Sequence, residues 1–190
     1  ITYGSPSAKD WLWVAETNLK LEQADAALNA VSQSIVLERT SYRPYLMRAD
    51  IYMALEDGEN ALKDYASASG WNPFSFEASI GQARALYLME SFGDAYEQFG
   101  KSRSLAETDE QMAQFHYGRA LAAEGLDNSA AAIYDWLNLL KLPEDATSAD
   151  MRATAEEHLA RLYTPTPTLR STLTPTITRT PRTSATPTAT

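Results

Sequence analysis

Residues 45–73 read YLMRADIYMALEDGENALKDYASASGWNP, and the order of small and large residues in this stretch recurs along the chain. Ala61 has counterparts at Ala27 and Ala95, each 34 residues away, and Ala130 follows after 35. Four residues beyond each alanine stand Val31, Tyr65, Phe99 and Tyr134. Twelve residues before each are Ala15, Ala49, Ala83 and Gly118, all small, and nine before are Asn18, Tyr52, Leu86 and Leu121. Small residues on two antiparallel helices let the backbones approach, and large ones fill the space beside them. A fixed period of this length marks a repeat unit that buries its apolar faces by stacking on its neighbours.

Helix punctuation agrees with that reading. Asp57-Gly58, Gly93-Asp94 and Gly125 stand where the two helices of a unit must turn. Ser7-x-x-Asp10, Thr108-x-x-Gln111 and Thr147-x-x-Asp150 have the form of capping boxes or close relatives. The last opens a helix over residues 148–163, which Arg152, Glu156, Glu157 and Arg161 make amphipathic and which Thr164-Pro165 ends. The pattern predicts nine helices and a tail.

The stretch resembles the tetratricopeptide repeat family. Tyr45, Ala49, Tyr52, Ala61, Tyr65, Ala68 and Pro73 fall on the family's signature positions. The fourth unit matches through Gly118, Leu121, Gly125, Ala130, Tyr134 and Pro143; the first keeps Trp11, Ala15 and Ala27. The third has Ser79 in place of the first aromatic and Glu107 in place of the closing proline. The resemblance covers residues 7–143 and implies an all-α, right-handed solenoid of four helical hairpins. A capping helix over 144–163 would follow, with an extended segment at 1–6 before the repeats and an extended Thr/Pro tail at 164–190.

In the family the first helix of each unit lines a concave groove for extended or helical peptides. The resemblance therefore implies a groove row of Leu12, Leu46, Ile80 and Phe115, beside a charged row of Glu16, Asp50, Arg84 and Arg119. A third row is Leu19, Met53, Tyr87 and Ala122. Core contact between helices is the alternative role for these side chains. Leu, Glu and Asp stand where some family members clamp a C-terminal carboxylate with Lys and Asn, which argues against a chaperone-tail clamp.

The tail has its own period. From Thr164 to Thr180 nearly every even position is threonine, while Leu169, Leu173 and Ile177 fall on odd positions. A period of two belongs to extended backbone, whose alternate side chains point to opposite sides. Twelve of the 27 tail residues are threonine, in a proline-stiffened setting typical of O-glycosylated stalks. The candidate acceptors are Thr166, Thr168, Thr172, Thr174, Thr176 and Thr178; Leu169, Leu173 and Ile177, with Arg170 and Arg179, are the candidate docking residues. An unmodified linker is the plain alternative.

Charge separates the two parts. The chain of 190 residues has 16 basic and 25 acidic side chains. The tail holds Arg170, Arg179 and Arg182 and no acid, which leaves 13 basic and 25 acidic residues, net −12, for the body. Such a body repels nucleic acid and anionic membrane surfaces and attracts a basic partner. No run of 18 apolar residues is present, and there is no cysteine. Nor does any N-x-S/T sequon occur.

Catalytic signatures do not emerge. His116 and His158 are the only histidines and match no metal spacing; G-x-S-x-G, P-loop and G-x-G-x-x-G patterns are lacking, and no cofactor is implied. His116 reads as packed or groove-lining and His158 as solvated. Trp11, Trp13, Trp71 and Trp136 read as core or junction packing. Two functions are then expected. One is a self-assembling structural subunit whose tail docks on the next copy. The other is an adaptor that binds a foreign peptide, with the tail as tether. The tail and the start at Ile1, which suggests a processed or truncated terminus, point to an extracellular or cell-surface setting.

Overall fold

The computed structural model describes residues 5–163. Nine α-helices occur among them: α1 Ala8–Lys20, α2 Ala24–Leu37, α3 Tyr42–Ala54, α4 Gly58–Trp71, α5 Phe76–Leu88, α6 Phe92–Ser102, α7 Asp109–Gly125, α8 Ser129–Lys141 and α9 Ala149–Tyr163. Two 3₁₀ turns, Arg103–Leu105 and Glu144–Ala146, lie in the connections, and the described residues contain no strand. Helices pack in the pairs α1/α2, α3/α4, α5/α6 and α7/α8, and each second helix also meets the next first helix. First helices touch one another too, α3 against α5 and α5 against α7, so the odd-numbered helices form a layer of their own.

Local chemistry sets the boundaries. Ser7 and Asp10 form a full capping box on α1, and Thr108 accepts from Gln111 N on α7. Asp57, Ser75 and Asn128 cap α4, α5 and α8 through their side-chain oxygens. At α9 the capping oxygen is Ser148 Oγ, which accepts from Met151 N. Thr147, the expected cap, instead accepts from Arg152, because its own hydroxyl is drawn back toward Pro143 and Glu144.

The turns inside the four units are built alike. Glu22, Glu56, Glu90 and Asp127 adopt left-handed φ of 57°, 58°, 58° and 55°. At each, two backbone bonds close the helix, as with Glu56 N to Met53 O at 3.1 Å and Asp57 N to Tyr52 O at 2.9 Å. The glycines expected to make these turns do not: Gly58 and Gly93 lie inside α4 and α6, and Gly125 ends α7. An acidic residue holds the left-handed position that glycine usually takes.

The spacing of these turns also corrects the register. The left-handed residues are 34, 34 and then 37 apart. α7 has 17 residues where α1, α3 and α5 have 13, so unit four is offset. Its true counterparts of Ala15, Ala49 and Ala83 and of Ala27, Ala61 and Ala95 are Ala120 and Ala132, and all eight are fully buried. The large position is held by Val31, Tyr65, Phe99 and Trp136, each at most 2% exposed. Ala130 and Tyr134, taken for these roles in the sequence, face solvent, Tyr134 at 61%.

Four apolar clusters follow the stacking, from Ala15, Ala27, Val31 and Ile51 at one end to Trp136, Leu139, Ala155 and Leu159 at the other. Two tryptophans expected in packing stand out of it, Trp13 70% and Trp71 51% exposed.

Candidate functional site

A pocket of about 630 Å³ opens on the layer of odd-numbered helices. Met53 comes from α3, Arg84, Tyr87 and Leu88 from α5, Gln114, Tyr117 and Leu121 from α7, and Met151 from α9. Phe92 and Phe99 of α6 and Gly118 of α7 also line it, with Glu90 at the α5–α6 turn. Its walls are mainly apolar and aromatic, with a few polar groups, a composition common to ligand pockets. Tyr87 and Phe92 lie against each other with ring centroids 5.5 Å apart.

A smaller pocket, which shares Met53 and Arg84, adds Asp50, Ala54 and Tyr65. Tyr65 Oη donates to Asp50 Oδ1 at 2.6 Å, tying α4 to α3. Burial pushes the Asp50 carboxyl up, against the opposing pull of the Tyr65 hydroxyl and of Arg84. Burial likewise raises the Tyr65 hydroxyl, and the bond to Asp50 adds to it.

Four expected groove residues meet here: Asp50, Met53, Arg84 and Tyr87. Leu12 and Leu46 are half-buried and pack on the clusters of the first and second units. Glu16 is exposed and pairs with Lys20 one turn along, Oε1 to Nζ 3.4 Å. Three expectations are overturned by burial. Ile80 is 4% exposed and Phe115, like Ala122, is fully buried, all inside the cluster around Phe99, so none offers a surface to a partner.

Arg119 is the fourth correction. Its guanidinium donates in bidentate fashion to Asp135, Nε to Oδ2 2.8 Å and Nη2 to Oδ1 2.7 Å, and lies 4.5 Å from the Phe115 ring centroid. His116 Nδ1 meets the same carboxylate at 2.8 Å. Arg48 and Asp64 repeat this pair in unit two, at 2.6 and 2.7 Å. In the true register Arg119 is the counterpart of Arg48, and Tyr117 and Leu121 are the counterparts of Ile80 and Arg84. Those two, with Gln114 and Met151, are among the lining residues that sequence reasoning passed over. Their signal lay in the turn dipeptides Glu22-Gln23, Glu56-Asp57, Glu90-Ser91 and Asp127-Asn128, whose last interval is 37.

Glu124 occupies the place of Tyr87 in the fourth unit and closes that end of the layer. Trp136 Nε1 donates to it at 2.7 Å, His158 Nδ1 lies 2.7 Å from the same oxygen, and Arg161 bonds its other oxygen. His158 is therefore half-buried between α7 and α9 rather than solvated.

No family model matches the chain. Solved structures do. TTC0263, a thermophilic TPR protein from Thermus thermophilus, superposes with a TM-score of 0.67 at 18% identity, over 81% of this chain and 82% of its own. The fold is that of a tetratricopeptide repeat protein. MamA from Desulfovibrio magneticus RS-1, residues 41 to the end, gives 0.67 at 17% identity, over 83% of this chain and 94% of its own. A further MamA structure, the RS-1 ArsTM double mutant, reaches 0.69 at 17% identity over 83% and 93%. At these identities the likeness is one of fold.

Among the described residues no group of three His, Cys, Asp or Glu side chains is arranged to hold a metal, and no helix is long and apolar enough to cross a membrane. The docking residues Leu169, Arg170, Leu173, Ile177 and Arg179 lie outside the described residues. So do the acceptor threonines Thr166, Thr168, Thr172, Thr174, Thr176 and Thr178.

Proposed function

We propose that the chain is a non-enzymatic structural subunit that assembles head to tail, the Thr/Pro tail of one copy docking on the tetratricopeptide body of the next. The observation that carries this reading is the pairing of a tail of net +3, with an apolar row at Leu169, Leu173 and Ile177, and a body of net −12 that opens an apolar pocket. A contact that joins unlike surfaces without closing a ring builds an open filament. Threonines on the opposite side of the tail are then free to carry O-glycans, which suits an extracellular fibre.

The foreign-peptide adaptor is the second reading, and the same pocket favours it, since an apolar cleft with a few polar groups accepts any extended segment of matching pattern. Electron microscopy and light scattering separate the two. Fibres from the full chain and monomers after deletion of residues 164–190 are the expected results. Equal polymerisation of both forms removes the tail from the assembly. An intact mass of native material equal to 21.0 kDa removes the glycans and leaves the docking.

A further inference from the structure

We propose that the edge of the solenoid built by the four turns inside the units is a docking surface for a cationic amphipathic helix of another protein. It shares only Glu90 with the pocket and stands apart from the self-assembly reading.

The turns carry a repeated pair of side chains. Leu21, Leu55, Met89 and Leu126 close the first helices of their units and are 61%, 49%, 42% and 44% exposed. Each is followed by the left-handed acid, Glu22, Glu56, Glu90 or Asp127, which is exposed as well. Single apolar residues on a surface are ordinary, but four at equivalent places in the true register form a row. The turns need neither side chain, since backbone bonds close them. They also stack. A Cβ on Gly58 of unit two would run into Met89 of unit three, and one on Gly125 of unit four into Phe92 at the start of α6.

Charge selects the partner. Among the described residues none of these four carboxylates has a hydrogen-bond or ion-pair partner. Within two residues of the row the only base is Lys20, which pairs with Glu16 at 3.4 Å. A second copy's edge would set acid against acid, and nucleic acid or an anionic membrane would be repelled. A segment that shows apolar and basic residues on one face complements the row.

Spacing selects the helix. Packed helices lie about 8–10 Å apart, so the rungs of the row recur at roughly that step. Seven helical residues rise ~10.5 Å and return to nearly the same face. Extended backbone repeats a face every ~6.6 Å or ~13 Å and falls out of step. Polyproline II keeps the step, ~9.3 Å for three residues, but turns only one residue per step to the edge. Each rung asks for two, an apolar one and a base, which a helix supplies at positions three or four apart.

The test uses the full chain and a fluorescent synthetic helix of about 25 residues, with leucine at the a positions and lysine at the d positions of successive heptads. Fluorescence anisotropy is expected to show saturable binding that weakens with added salt. Leu21→Ser and Leu126→Ser, at opposite ends of the row, should each weaken it about fivefold with the helical circular dichroism unchanged. Glu22→Gln with Asp127→Asn should flatten the salt dependence. No binding, or binding undiminished in either serine variant, overturns the proposal. Equal affinity for a peptide of the same composition with its leucines and lysines scattered round the helix leaves only bulk charge and overturns the row. Equal affinity for a version broken by a central proline overturns the helix as occupant. Loss of binding in Leu121→Asp, with both serine variants unaffected, puts the peptide in the pocket and overturns the edge. Polymerisation is read separately by light scattering, so this proposal and the self-assembly reading fail independently.

Discussion

The ring of Phe99 on α6 occupies the space where a side chain on Gly118 of α7 would begin, so a Cβ added there meets ring carbons well inside van der Waals distance. Tyr65 and Gly81 stand in the same relation one unit earlier. The position that receives the large residue of the preceding unit is thus sized against it: Met47 beyond Val31, Gly81 beyond Tyr65, Gly118 beyond Phe99, and Ala155 in one cluster with Trp136. Side-chain volume moves between the two helices while the sum fills the same gap.

Gly118→Ala should therefore destabilise the body by ~1–3 kcal/mol, although alanine favours helix over glycine. Phe99→Leu together with Gly118→Ala should recover part of that loss. Chemical denaturation of the two variants checks this; a stabilised Gly118→Ala would contradict the close approach.

The buried pair Arg119–Asp135 has counterparts of three kinds in the same chain. Unit two repeats it as Arg48–Asp64, unit three has Gln82 and Gln98, and unit one has Val14 and Ala30. Removing one partner of a buried pair strands a charge and costs ~3–5 kcal/mol, whereas replacing both is far milder. Arg119→Gln alone should be strongly destabilising because Asp135 is fully buried and keeps only His116 as a side-chain partner. Arg119→Gln with Asp135→Gln, which reproduces unit three, should lose less. Additive losses in that double-mutant cycle would show the two residues to be uncoupled.

Most of the fold was legible because Ala27, Ala61 and Ala95 share both spacing and burial. The fourth unit was not, and the cause is local. Ala130, Ala131 and Ala132 form a run in which any member satisfies a rule that asks for a small residue, and only Ala132 is at the crossing. Choosing Ala130 moved every partner assignment in that unit by two residues, to Tyr134 instead of Trp136 and to Arg119 instead of Leu121. Residue type alone could not recover it, since an arginine on a groove and an arginine buried on an aspartate read identically. In units two and three, Asp50, Met53, Arg84 and Tyr87 line the pockets because their register was correct. Ile80 failed for another reason: α6 brings Phe99 and α7 brings Phe115 against it, a contact no local pattern encodes.

Glu56 holds a left-handed φ of 58° at the end of α3, a conformation that costs an L-residue ~1–2 kcal/mol. Glycine adopts it freely but loses more entropy on folding. Glu56→Gly should therefore stabilise the body by a net ~0.5–1 kcal/mol, and Glu56→Val should destabilise it. Melting temperatures of the two variants report the sign directly. A loss on Glu56→Gly would mean that the carboxylate itself supports the turn.

Acidification should release α9 before the rest of the stack. Burial alone pushes the Glu124 carboxyl up, but the bonds from Trp136 and His158 and the charges of His158 and Arg161 outweigh it and hold its pKa below the ordinary value. A carboxylate with a depressed folded-state pKa contributes stability above its unfolded pKa of about 4.5, and that contribution is lost as pH falls through the lower folded value. Glu124→Gln should lower stability at neutral pH and flatten the acid limb of the stability curve, since glutamine does not titrate. Trp136 fluorescence follows the site itself, because its indole nitrogen donates to Glu124 at the junction with α9. The parent should show an acid transition in that signal at lower denaturant than the helical signal, and Glu124→Gln should abolish its pH dependence. An acid limb unchanged by the substitution would place the titrating group elsewhere and reduce Glu124 to a neutral packing residue.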